Sequence, residues 1–171
     1  MHKYLISFLL IFSTTTYSDE TISVWVRDYF ERIHKSINEE NYEKALQELK
    51  TANERYFRGG RTYEAALLYQ LYGQFYALQN KYTEALPWFE KSLGTEKLPR
   101  IGAQEVRFQL AQTYFMVGNY KNVVPLLNDY INIGTKYSYP ISARINLLLA
   151  YSHGRMDEYK EAYFHITQAN N

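Results

Sequence analysis

The 171-residue chain contains no cysteine. That excludes disulfides, thiolate metal sites, a cysteine nucleophile and lipid attachment at cysteine, but it fits an oxidising compartment as well as a reducing one. No charge of one sign dominates: 19 Lys and Arg face 18 Asp and Glu. The basic stripe that marks a nucleic-acid surface is missing, as is a basic cluster suited to a lipid surface. The four histidines, His2, His34, His153 and His165, form no i, i+4 pair, so no metal site is expected. Gly59-Gly60-Arg61 has neither the spacing nor the lysine of a phosphate loop, and no Gly-x-Ser-x-Gly occurs. Acidic pairs such as Glu39-Glu40 and Asp157-Glu158 fall at turns, where solvated charge is the default. The expected class is non-enzymatic and free of cofactors.

Long hydrophobic runs are nearly absent too. The exception is Tyr4 to Phe12, preceded by the basic Met1-His2-Lys3 and followed by the small, polar Ser13–Ser18. This order is that of a secretory signal peptide. This nine-residue run, apolar but for Ser7, spans about half of the ~20 that a bilayer requires, so no membrane span is expected in the mature chain. Cleavage near Ser18 removes one charged residue, Lys3, leaves a neutral chain over 19–171 and implies a periplasmic or secreted location.

What the sequence does have is tyrosine, 18 residues against two tryptophans. Tyr42, Tyr82, Tyr120 and Tyr159 stand 40, 38 and 39 residues apart, each opening a similar string: YEKAL, YTEAL, YKNVV and YKEAY. A period of this length means stacked supersecondary units, none able to bury its apolar face alone. Before each anchor lies one helical stripe: Tyr69, Tyr72, Gly73 and Tyr76 in the second unit, and Arg107, Leu110, Ala111 and Tyr114 in the third. Asn146, Leu149, Ala150 and His153 form it in the fourth, and Tyr29, Arg32, Ile33 and Ser36 in the first. After each anchor runs another, such as Ala85, Leu86, Phe89 and Ser92. Gly73, Ala111 and Ala150 lie nine residues before their anchors, where a bulky side chain would hold paired helices apart.

Punctuation agrees with paired helices. Gly59-Gly60, Gly94 and Gly134 suit helix C-termini. Pro99 and Pro140 suit helix starts, Asn41 and Asn119 suit N-caps, and Pro87 and Pro125 recur five residues after their anchors.

The second unit, Tyr69-x-x-Tyr72-Gly73-x-x-Tyr76 and then Tyr82-x-x-Ala85-x-x-x-Phe89-x-x-Ser92, resembles the tetratricopeptide repeat (TPR). The period exceeds the usual 34. Ile33 replaces a small residue, Val123 an alanine and Tyr130 the last small residue. The resemblance implies an all-α, right-handed α-solenoid of about four units, near 22–60, 61–98, 99–138 and 139–171.

It also implies a concave groove lined by the first helix of each unit. By register the binding residues are Phe30 and His34, then Gln70 and Gln74, then Phe108, Gln112 and Phe115, and finally Arg144 and Tyr151. Amides run down the middle of this row, able to bond an extended peptide, with aromatic rings beside them. A clamp for a C-terminal carboxylate is not expected, since Phe30, His34, Leu71, Glu105 and Gln109 hold its places.

The function implied is an exported adaptor or scaffold that binds a peptide segment or protein partner in assembly or regulation of a cell-envelope complex. The alternatives are a cytoplasmic TPR chaperone of the type III secretion kind and a purely structural oligomer subunit. The last helix, with Tyr159, Ala162, Tyr163, Phe164 and Ile166, carries more apolar surface than one inner face needs. Self-association through this end, as a homo-oligomer, is the simplest consequence.

Overall fold

The computed structural model describes residues 24–56 and 62–169. The proposed signal peptide and Gly59-Gly60 lie outside them. The described residues form eight α-helices and no strand: α1 (Val24–Asn38), α2 (Tyr42–Tyr56), α3 (Tyr63–Leu78), α4 (Tyr82–Gly94), α5 (Arg100–Met116), α6 (Tyr120–Lys136), α7 (Ala143–Arg155) and α8 (Tyr159–Ala169). Each helix packs chiefly on the next, and α1 also meets α3 as α5 meets α7. This is a TPR-type α-solenoid of four helix pairs.

All four anchor tyrosines are the first residue of the second helix in their pair, and the turn before each is the same. Glu40, Asn80, Gly118 and Asp157, two residues ahead of the anchor, have φ between 55° and 77°. The next N–H donates back five residues: Asn41 to Ser36, Lys81 to Tyr76, Asn119 to Tyr114 and Glu158 to His153, at 2.9–3.0 Å. The left-handed residue itself donates to the carbonyl three positions back. This pair of bonds is the Schellman motif, which satisfies carbonyls that a helix end leaves open. Four turns of one geometry aim four second helices alike.

Caps hold the other ends unevenly. The Thr62 hydroxyl accepts from Ala65 N–H at 3.1 Å, Asn41 Oδ1 from Lys44 N–H at 3.2 Å, and the Ser142 hydroxyl from Arg144 N–H at 3.3 Å. Pro99 occupies the N-cap position of α5. Asn119 holds that place before α6, but its side chain accepts no capping bond, contrary to expectation. Pro140 does not open α7 either, which begins at Ala143 behind Ser142. Pro87 and Pro125 sit inside α4 and α6.

The expected small-residue positions are explained by what they face. A Cβ on Gly73 would stand 2.6 Å from the Phe89 ring, closer than real carbon contacts allow. Phe89 and Ala111 are fully buried. In the first unit Ile33 takes the place of Gly73, and the smaller Leu49 takes that of Phe89; both are fully buried in one cluster. Bulk removed from one helix is restored on its partner. Gly94 does end α4, whereas Gly134 is buried two residues inside the end of α6. There it leaves room for the Ile141 side chain, so its smallness serves packing rather than termination.

Three apolar clusters run through the stack, each crossing a junction between units. Leu49, Leu68 and Tyr72 belong to the first, Phe89, Val106 and Leu110 to the second, and Leu127, Ile145 and Leu149 to the third. Helix α3 is buried on almost every side, as a helix inside a stack must be. Polar ties follow the same register. Ser92 Oγ donates to the Ala66 carbonyl at 2.7 Å, and Gln104 Nε2 donates to the Tyr130 carbonyl at 2.9 Å. Among the described residues no helix is long and apolar enough to cross a membrane.

Candidate functional site

The first helices, α1, α3, α5 and α7, bring the residues named for the groove into one series, but with very different accessibility. Phe30 is buried in the first cluster against α3, and Gln74 is buried in α3. Neither offers surface to a ligand in this conformation. Phe30 is covered by the apolar residues of α3 in its cluster.

The remaining rings are partly occupied by the protein itself. Phe108 is half-buried and tilts against Tyr130, with ring centroids 6.2 Å apart. Phe115 meets the Tyr120 ring edge-on at 5.4 Å. His34 is half-buried, and burial lowers its imidazole below the usual value.

The amides are arranged otherwise than the register suggested. Gln70 Nε2 donates to Gln109 Oε1 at 3.2 Å, tying α3 to α5. Gln112 is half-exposed one turn further along α5. In the sequence Gln109 holds a carboxylate-clamp place without a matching charge. Its signal in the sequence was its place one position out of step with Gln70, which a strict register treats as a different face.

One acidic group belongs here as well. Glu105 is half-buried on α5, and burial pushes its carboxyl above the ordinary glutamate value; it also raises the half-buried Tyr130 phenol, which burial pushes up first. At the far end Arg144 is exposed, and Tyr151 is 64% exposed. The accessible row is therefore Gln70, Gln112, Glu105, the outer edges of Phe108 and Phe115, and then Arg144 and Tyr151. Such a surface can bond an extended backbone through amides and accept a cation at Glu105; it holds no nucleophile poised beside a base.

Away from the groove, Tyr114 Oη donates to Glu90 Oε1 between units. Its phenol is pushed up to about 12, first by burial and then by that carboxylate. Tyr72 stacks on Trp88 at 4.0 Å, and the Lys91 ammonium lies 4.7 Å from the Trp88 ring. These aromatic contacts consume tyrosines as packing. Between α7 and α8, His153 Nδ1 is 2.6 Å from Glu158 Oε2, and the His153 and His165 rings stack at 5.5 Å. Among the described residues no three His, Asp or Glu side chains converge as metal ligands.

No family model matches the chain, and no curated protein matches it in sequence. Solved structures do resemble it in shape. MamA of MSR-1 superposes with a TM-score of 0.67 at 16% identity, covering 85% of this chain and 75% of that one. MamA of AMB-1 gives 0.67 at 15% identity, with 85% and 76% covered. PilF of Pseudomonas aeruginosa gives 0.62 at 18% identity, covering 84% of this chain and 59% of PilF. At these identities the likeness is one of fold.

Proposed function

We propose that the protein is an exported, non-enzymatic TPR adaptor that holds an extended segment of a protein partner along its first helices, in assembly or regulation of a cell-envelope complex. The observation that carries this reading is the accessible row on α3 and α5. Half-exposed Gln70 and Gln112 lie on the inner helices of the solenoid with the edges of Phe108 and Phe115 beside them. Amides satisfy the main chain of a bound strand, and ring edges give it apolar contact without demanding one sequence. Glu105 adds a preference: a half-buried carboxylate gains most from a basic side chain, because a nearby cation offsets its desolvation. The order of basic, apolar and small residues over 1–18 supports export.

The test is affinity capture from an envelope extract of the native host with wild type and with the Gln70→Ala, Gln112→Ala double variant. Capture should fall while the circular dichroism spectrum is unchanged, and Glu105→Lys should weaken capture further. Undiminished capture by folded variants would move binding off this face. N-terminal sequencing of the natural protein checks export: a start near Asp19 is expected, and an intact Met1 in cytosol contradicts it.

A further inference from the structure

Position by position, the last helix pair breaks a rule that the first three obey. At the anchor, Tyr42, Tyr82 and Tyr120 are half-buried. Four residues later, so are Leu46, Leu86 and Val124, and seven residues later Leu49, Phe89 and Leu127 are fully buried. Apart from Tyr120, these residues belong to clusters that reach toward the following unit. In α8 the same three positions hold Tyr159, Tyr163 and Ile166, exposed by 68%, 70% and 46%. The surface continues onto α7. Leu147 stands where Phe30 and Phe108 pack toward the next first helix, and it is exposed, with Tyr151 one turn along the same face.

We propose that this end of the stack is a self-association surface, in which two copies pair about a two-fold axis with their α7–α8 faces together. The repeat itself states the chemistry of the occupant: at every internal junction these positions meet an apolar helix face. The opposite end of a second copy is not such a face. Asp28, Arg32 and Lys35 lie there, exposed, at the places where Leu68, Tyr72 and Phe75 pack on the preceding unit. Head-to-tail stacking would press those charges against Tyr163 and Ile166, and taking charge out of water against apolar groups is strongly unfavourable. A second α7–α8 face supplies tyrosines and aliphatics instead, and an isologous pair closes on itself. The rim carries both signs, with Arg144, Arg155 and Lys160 beside Asp157 and Glu161 exposed, so two copies meet without a like-charged field. The area also suffices. Large aromatic side chains bury roughly 150–250 Å² each; three tyrosines about two-thirds exposed, with Leu147 and Ile166, leave on the order of 500 Å² per copy. Two copies then reach the roughly 1,000 Å² that specific interfaces need.

The face shares Arg144 and Tyr151 with the far end of the groove row but not Gln70, Glu105 or Gln112. Its test, the mass of the chain alone, needs no partner, so its failure is distinguishable from that of the partner reading above. Light scattering and sedimentation of the full chain over a concentration series should show a mass of two 20.3 kDa chains giving way to one on dilution. Tyr163→Glu with Ile166→Glu should raise the dissociation constant roughly thirtyfold or more, as expected for a charge placed at the centre of an interface. A single-chain mass at every concentration, or association of undiminished strength in the variant, overturns the proposal. Because the natural chain has no cysteine, a second route needs no interface disruption. Tyr163→Cys should couple to itself through a short bis-maleimide, whereas Arg32→Cys should not. Coupling only in a mixture of the two variants would show head-to-tail stacking and equally overturn it.

Discussion

At the first end of the stack, Asp28, Arg32 and Lys35 occupy the three positions that Leu68, Tyr72 and Phe75 fill one unit later, Val106, Leu110 and Thr113 two units later, and Ile145, Leu149 and Ser152 in the last. Those nine residues are buried, while the three charged ones are exposed. Arg32 lies over the Tyr29 ring at 4.2 Å, and Lys35 comes within 3.9 Å of Glu39. Such contacts are satisfied locally and need no neighbour. At the other end, Tyr159, Tyr163 and Ile166 retain the apolar character of internal positions but have nothing over them among the described residues. A repeat array has to finish both ends with surfaces compatible with their surroundings. Among the described residues, the outer face of the first pair carries charge, and that of the last retains the character of a junction.

The largest test of this contrast places one change at equivalent positions. Leu110→Ala and Leu149→Ala, both in junction clusters, should each destabilise by roughly 2–5 kcal/mol through lost burial and the cavity left behind. Arg32→Ala, at the same register but exposed, should stay within about 0.5 kcal/mol. Urea melts measure all three, and a large loss at Arg32 would mean that the first end is covered after all.

Next in size is the small residue between paired helices. Gly73→Leu drives a side chain into the Phe89 ring and should lose roughly 1–3 kcal/mol or more. Adding Phe89→Leu to Gly73→Leu, which approaches the first unit's Ile33 and Leu49 pairing, should recover part of that loss. No recovery would show that the two positions do not complement each other.

The turns provide smaller effects. Gly118 has φ +77° with open space around its missing Cβ, so Gly118→Val should cost about 1–2 kcal/mol from backbone strain alone. Gly118→Asn should be milder, since Asn80 holds the equivalent place with φ 59°. Glu40→Gly and Asp157→Gly relieve that strain but add unfolded-state entropy, so each should stabilise by less than about 1 kcal/mol. Equal effects of Val and Asn at Gly118 would contradict the shared turn geometry.

The smallest effect is a pH dependence. Burial lowers the imidazoles of His34 and His165 below 6.5, and the neighbouring His153 lowers His165 further. The unfolded chain therefore binds these protons more readily than the folded one. The stability they permit is present at pH 7 and is lost as pH falls from about 6.5 through the lowered folded values. Glu105 acts in the opposite sense: its raised carboxyl makes stability increase as pH falls toward 4.5. Melts of His165→Gln should be flatter than wild type between pH 6.5 and 5, and an unchanged slope would contradict the assignment.

Much of the fold was legible because one requirement recurs. Each unit must turn its chain through the same left-handed residue and start its second helix at the same place, so the tyrosine strings mark helix starts to the residue. Small positions such as Gly73 were legible because helix separation admits nothing larger. Gly134 misled because a glycine near a helix end carries the same letter whether it terminates the helix or admits Ile141. Asn119 misled because a favourable cap residue need not make the bond. The groove was the least legible part. Phe30 is covered by residues of α3 and Phe108 lies against Tyr130, contacts that depend on how neighbouring helices sit against one another. A register assigns faces within a unit; it does not assign the angle between units.

The direct test of the central contrast is thiol labelling at one register in all four units. Leu46→Cys, Leu86→Cys, Val124→Cys and Tyr163→Cys each place a single thiol in a chain that otherwise has none, four residues after the anchor. In dilute protein, where pairing of copies is negligible, the thiol at 163 should react with a maleimide much faster than the other three, which the next unit shields. Similar rates at all four positions would contradict the account.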